Sequence, residues 1–174
     1  MPHDSPYKWT HRVGVIMRYA SVQVVFQEVP DEISLAFSIT GCDLQCRGCH
    51  SAQTWDASSG TLLDEAAFLQ LTTRYRGLIS CVLFYGGEWE PATLIHLAAL
   101  AKDQGLVTCL YTGCELTELS RPIFEAFDYL KTGRWQVDLG GLTAATTNQR
   151  FYRVQSRDGL FSFDDQTEKF RSTT

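Results

Sequence analysis

No run of apolar residues in this chain approaches the ~18–20 that a membrane-spanning helix needs, so a bilayer-embedded protein is not expected. Basic residues are few and scattered: 15 Lys and Arg against 20 Asp and Glu leave a formal net charge of −5. With a pI of about 5.3 and no basic stripe, a nucleic-acid partner is not expected either. The opening residues, Met1-Pro2-His3-Asp4-Ser5-Pro6-Tyr7, lack the charged-then-apolar order of an export signal. Repeats and low-complexity tracts are missing. At 174 residues the chain falls short of the roughly 250 of a complete (β/α)8 barrel, and one domain over 1–174 is expected. These absences place the cysteines in a reducing cytoplasm, where a group of them points to metal or catalysis before disulfides.

That group is Gly41-Cys42-Asp43-Leu44-Gln45-Cys46-Arg47-Gly48-Cys49-His50, three cysteines spaced C-x3-C-x2-C. Thiolates at this density are soft ligands suited to zinc or an iron–sulfur cluster. Three protein ligands leave one coordination position open for water, substrate or cofactor, whereas four close a site and make it structural. Other readings compete. Cys46-Arg47-Gly48-Cys49-His50 matches the c-type haem attachment motif C-x-x-C-H, but leaves Cys42 idle and calls for export. A zinc site on Cys42, Cys46, Cys49 and His50 is chemically possible, although adjacent Cys49 and His50 would both have to turn onto one small ion. Unliganded buried cysteines are the blandest alternative.

Around the loop the pattern alternates between strand and helix. Residues 1–18 read as an N-terminal extension, and Val22, Val24 and Phe26 as an edge strand ended by Pro30. Ile33, Leu35, Phe37 and Ile39 alternate with small polar residues into a strand that feeds the cysteine loop. Thr61 with Asp64 resembles a capping box opening a helix that stops near Gly77. Leu78–Tyr85 reads as a buried strand ending at Gly86-Gly87-Glu88. Pro91 starts a helix that ends at Gly105. Leu106–Tyr111 is a strand ending at Thr112-Gly113, and a helix over Glu115–Phe127 is kinked or divided by Pro122. Tyr129–Gly133 is a fourth strand. Beyond it only Phe151–Val154 and Phe161–Phe163 read as short strands, and 164–174 as a polar tail. Such alternation predicts an α/β fold with a parallel sheet and crossover helices. The cysteine loop, the Gly86-Gly87-Glu88 turn and the Thr112-Gly113 turn each follow the C-terminal end of a strand, the binding edge of such sheets.

C-x3-C-x2-C after a first strand, with Gly-Gly-Glu after a second, resembles the radical S-adenosylmethionine superfamily. The resemblance implies a partial (β/α) barrel with parallel strands. It also implies a 4Fe–4S cluster on Cys42, Cys46 and Cys49, with S-adenosylmethionine chelating the fourth iron. Reductive cleavage of the cofactor would then give a 5′-deoxyadenosyl radical. Thiolate-ligated clusters reach below about −400 mV, as that cleavage requires. By the same resemblance Gly48 and His50 flank the third cysteine where the adenine sits. Gly86, Gly87 and Glu88 approach the methionyl amine, and Thr112 belongs to the cofactor site. Two departures stand out: His50 replaces the commoner Tyr or Phe, and Trp89-Glu90 separate Glu88 from Pro91, so that Glu90 competes with Glu88 for the acidic role.

Several segments are similar more narrowly to the activating proteins of anaerobic (class III) ribonucleotide reductase. These are Thr40-Gly41-Cys42 through Thr54-Trp55, Tyr111-Thr112-Gly113 with Glu118-Leu119, Thr132-Gly133-Arg134, and Thr146-Thr147-Asn148-Gln149-Arg150. Thr132 and Cys114 depart from that pattern. The implied reaction is hydrogen abstraction from a backbone glycine of a partner glycyl-radical enzyme, anaerobic ribonucleotide reductase, with an electron donor such as flavodoxin. A small-molecule enzyme of the 7-carboxy-7-deazaguanine synthase type and a zinc-stabilised binding module are the alternatives. Cys81 and Cys109 read as core, Cys114 as a candidate facing the site, and Trp55, Trp89 and Trp135 as packing or rim residues.

Overall fold

A computed structural model describes residues 17–171. Eight strands form one mixed sheet in the order β3-β1-β2-β4-β5-β6-β7-β8. They are β1 (Arg18–Val25), β2 (Ser34–Ile39), β3 (Thr61–Leu62), β4 (Cys81–Tyr85), β5 (Val107–Tyr111), β6 (Tyr129–Thr132), β7 (Arg150–Arg157) and β8 (Leu160–Asp165). Parallel pairing holds for β2, β4, β5 and β6 alone. β1 and β3 flank that block antiparallel on one side, β7 and β8 on the other. The expectation of parallel strands is therefore correct only for the centre of the sheet.

The three crossover helices, α1 (Glu65–Arg74), α2 (Pro91–Asp103) and α3 (Arg121–Ala126), all pack on one face. Leu35, Phe37, Ile39, Val82, Phe84, Leu110 and Leu130 point toward them and meet Phe68, Leu94, Leu97, Ala98, Ala101 and Ile123. The opposite face carries Ala36, Cys81, Leu83 and Cys109 under Val25, Val29, Leu142 and Phe151. Both faces of β2 are thus covered, and its Ser34 and Ala36 are as buried as Leu35 and Phe37. The strict alternation there marks small against large residues, not solvent against core.

Other boundaries move for physical reasons. Asp64, not Thr61, caps α1, its Oδ1 accepting the Ala67 N–H at 2.8 Å. Thr61 is instead held in β3 against Tyr19. Pro122 divides its helix: a 3-10 turn spans Leu116–Glu118, and α3 follows with the proline in its first turn. Most of the expected N-terminal extension lies outside the described residues, but Met17 is buried and Arg18 begins β1. The expected polar tail is also corrected as far as it is described. Asp164 and Asp165 lie in β8, and a 3-10 turn over Thr167–Phe170 brings Phe170 onto Phe151, ring centroids 5.0 Å apart.

Candidate functional site

The C-terminal ends of β2, β4, β5 and β6 are tied side to side. Gly86 N–H donates to Tyr111 O at 2.8 Å, Thr112 N–H to Lys131 O at 2.8 Å, and Gly133 N–H to Cys114 O at 3.0 Å. Each strand therefore releases its following loop at the same edge. Beside them the cysteine loop closes on Thr54, whose carbonyl accepts the N–H of Gly41 at 2.7 Å and of Cys42 at 3.3 Å. Cys49 N–H donates to Cys46 O at 3.1 Å, making the second half of the loop a tight turn. Ser51 N–H donates to the Cys49 sulfur at 3.4 Å. Gly41, at φ +100°, supplies the left-handed step that lets β2 turn into this loop.

These edges enclose a cavity of about 190 Å³ lined by Cys42, Cys46, Cys49, Gly86, Glu88, Trp89, Thr112 and Lys131, among others. A neighbouring cleft of about 370 Å³ shares Cys49, Ser51, Tyr111, Lys131, Trp135 and Gln149 with it and is completed by Gln27, Glu28, His50, Leu142 and Phe170. The structure thus brings together six of the residues singled out in the sequence: the three cysteines, Gly86, Glu88 and Thr112. His50 lines the neighbouring cleft, its ring against Trp135 at 4.6 Å between centroids. Gly48 and Gly87 line neither space. A side chain at 48 would grow toward the Trp135 indole nitrogen, and one at 87 toward Leu94, Met17 and Ile39.

Glu88 is only 3% exposed, and Glu90 sits instead at the N-cap of α2. Thr112 Oγ1 donates to Glu88 Oε1 at 2.6 Å and accepts the Cys114 N–H at 2.9 Å, which fixes the carboxylate's rotamer. Glu88 Oε2 is buried with no hydrogen-bond partner among the described residues. Burial, the largest influence, raises the Glu88 pKa against the opposing Thr112 hydrogen bond. Across the cavity Lys131 is 9% exposed, its ammonium donating to Gly133 O at 3.2 Å. Burial pulls its pKa down to about 8, while Glu88, Cys46 and Cys49 pull it back up. Cys114 is buried behind Glu88, 3.9 Å from Oε1, and backs the carboxylate rather than lining the cavity.

Lys131, Trp89 and Trp135 are among the lining residues that sequence reasoning missed. The signal for Lys131 was available: it stands near the end of β6, the same edge that flagged the Gly-Gly-Glu and Thr-Gly turns. The tryptophans had none, because an aromatic residue in a loop is most simply a rim residue.

Three thiols on one loop lining one cavity suit an iron–sulfur cluster. Among the described residues no three His, Cys, Asp or Glu side chains converge on one ion position. A cubane cluster asks for less convergence, since each thiolate binds a different corner. Burial, the first cause, pushes the Cys42 thiol up to about 11, so ligation there would release a proton. A buried carboxylate, one oxygen of which has no partner among the described residues, and a buried ammonium line the same cavity as the three thiols.

Comparison with known proteins agrees with this chemistry. The chain is 33% identical over 78 residues to a pyruvate formate-lyase-activating enzyme of Clostridium pasteurianum, an alignment covering 41% of this chain and 33% of that protein. The matched stretch thus spans about a third of that relative's length. The family model described as a 4Fe-4S single cluster domain matches residues 33–154, well over half of the chain, from the start of β2 into β7. The cysteine loop and all four parallel strands fall inside that match, and the chain belongs to the 4Fe-4S single cluster domain family.

Proposed function

We propose that this protein is a radical S-adenosylmethionine activase that abstracts a hydrogen atom from a glycine of a glycyl-radical enzyme. The observation that carries the reading is one cavity holding three cysteines, a buried carboxylate with one oxygen unpartnered among the described residues, and a buried ammonium. Cys42, Cys46 and Cys49 would hold the 4Fe–4S cluster and leave one iron without a protein ligand. Glu88 and Lys131 are opposite charges on the walls of one cavity, complementary to a zwitterionic amino-acid end such as the methionyl part of the cofactor. Gly86 presents backbone without a side chain at the same wall. With cluster and cofactor bound, one-electron reduction from a flavodoxin-like donor would cleave the cofactor and leave a carbon radical able to take a hydrogen atom. The residues' own task is to orient that cofactor and keep competing reductants and water away.

The neighbouring cleft supports a polypeptide substrate. It opens directly off the cysteine cavity, sharing Cys49 and Lys131, and carries the carboxamides of Gln27 and Gln149. The similarity to a pyruvate formate-lyase-activating enzyme supports a glycyl-radical enzyme as partner. The Tyr111-Thr112-Gly113 and Thr146–Arg150 segments favour anaerobic ribonucleotide reductase among such partners. Sequential parallel strands with every helix on one face are the arrangement of a barrel segment, and we read the fold as a partial radical-S-adenosylmethionine barrel working in the cytoplasm.

The test is anaerobic reconstitution with iron and sulfide, followed by EPR of the reduced protein with and without S-adenosylmethionine. The expected result is a 4Fe–4S signal that changes on adding the cofactor and is lost in Cys49→Ala. Zinc without iron or sulfide, or a cluster indifferent to the cofactor, would overturn the proposal.

A further inference from the structure

Trp89 belongs to the dipeptide that separates Glu88 from Pro91, and its geometry is unlike that of a rim residue. The turn Gly87–Glu90 closes with Glu90 N–H donating to Gly87 O at 2.9 Å, which folds the Trp89 side chain back over the strand ends. Its indole N–H donates to Thr40 O at 3.2 Å, at the end of β2 where the cysteine loop begins. The same nitrogen lies 3.0 Å from where a Cβ on Gly41 would stand. The far edge of the ring covers Gly86: a Cβ there would sit 2.4 Å from Cη2 and 2.9 Å from Cζ3. One rigid side chain therefore touches both the start of the cysteine loop and the glycine turn, and lines the cavity between them.

We propose that Trp89 is a positioning residue that sets the separation between the cluster-binding loop and the Gly86-Gly87-Glu88 turn. The inference rests on the cofactor reading above. The cluster would hang from the cysteine loop, and the cofactor's amino-acid end would meet Glu88 and Gly86 on the turn. A ligand bridging both is sensitive to the gap between them, and misplacements of about 1 Å can cost a reaction roughly 10²-fold. The β2–β4 ladder holds the strand ends as far as Ser38 opposite Tyr85, and Gly41 and Gly86 lie just beyond it. The indole spans the gap with a hydrogen bond at one end and van der Waals contact at the other. Gly41 and Gly86 are the residues whose missing side chains make room for the ring. Cluster ligation itself does not use Trp89, so metal content and cofactor response can be separated.

The experiment compares wild type with Trp89→Phe and Trp89→Ala, each reconstituted anaerobically. Phenylalanine keeps a ring over Gly86 but loses the hydrogen bond to Thr40, and alanine loses both. Iron and sulfide per chain, melting temperature and an EPR titration with S-adenosylmethionine are measured for each. The expected result is wild-type iron and sulfide in both variants. The titration midpoint rises several-fold in Trp89→Phe and tens-fold in Trp89→Ala. Midpoints equal to wild type, or weakening that only tracks lost iron or a lower melting temperature, would overturn the role. A wild-type cluster that ignores the cofactor would overturn the cofactor reading and this inference with it. A responsive wild type with equally responsive variants overturns the inference alone.

Discussion

Burying the Glu88 carboxylate with one oxygen unpartnered costs the bare chain stability, because desolvation favours the neutral form. Its pKa in the folded chain is raised above the ordinary 4.5, so the folded state holds that proton more tightly than the unfolded one. Its contribution to stability is complete below about 4.5 and is lost as pH climbs through the folded pKa. Glu88→Gln in the metal-free protein is therefore expected to melt higher than wild type at neutral pH. The advantage should fade as the pH is lowered toward 4, and thermal denaturation across that range checks it. A variant less stable than wild type at neutral pH would contradict the account. On the proposed function, the same substitution is expected to weaken S-adenosylmethionine binding, which would trade stability for function. Gly86 is a second cavity-lining residue at which a substitution meets strain. Its φ of +80° and the overlying Trp89 ring should make Gly86→Ala cost about 1–3 kcal/mol, read as a lower denaturation midpoint. The cysteine triplet was legible at this scale because its spacing is itself the signal. Lys131 was legible only by its place near the end of β6, because its burial depends on which loops close over it and no local pattern records that.

At the scale of elements, alternation located every strand of the parallel block and the helices between them, since period and turn residues are local properties. The boundaries that moved did so where a tertiary contact outbid local preference. The capping-box reading puts the helix start at Thr61, with Asp64 three residues on as its partner. Pairing of Thr61–Leu62 with Arg18–Tyr19 removes that start, leaving the Asp64 carboxylate to accept the Ala67 N–H. Asp64→Ala is accordingly expected to cost about 1 kcal/mol of stability, the usual worth of an N-cap. Thr61→Ala, at an exposed site, should stay within about 0.5 kcal/mol. Urea unfolding of both variants discriminates the two starts, and a larger loss at Thr61 would reverse the assignment. Pro122 illustrates the opposite case, in which a local rule was enough: lacking an N–H, it sits in the first turn of α3 and ends the possibility of one continuous helix.

Over the whole molecule, helices cover one face of the sheet and irregular segments the other. The second face is sealed by the β1–β2 connection through Val29, by Leu142, and by the C-terminal turn through Phe170 against Phe151. Phe170→Ala should therefore lower stability by about 1–3 kcal/mol, less than a fully buried phenylalanine, while leaving cluster content intact. Chemical denaturation with iron analysis checks both halves of that statement. Among the described residues no helix is long and apolar enough to cross a membrane. The sequence by itself determined the cysteine loop, the parallel βα units and the strand ends on which the site is built, because these follow from spacing, period and turn chemistry between near neighbours. The tertiary structure alone decided the antiparallel flanks, the order of the tail, the burial of Lys131 and Glu88 on one cavity and the span of Trp89 from Thr40 to Gly86. Each of these joins residues far apart in the chain, and only packing the sheet against its two coverings selects which of them meet.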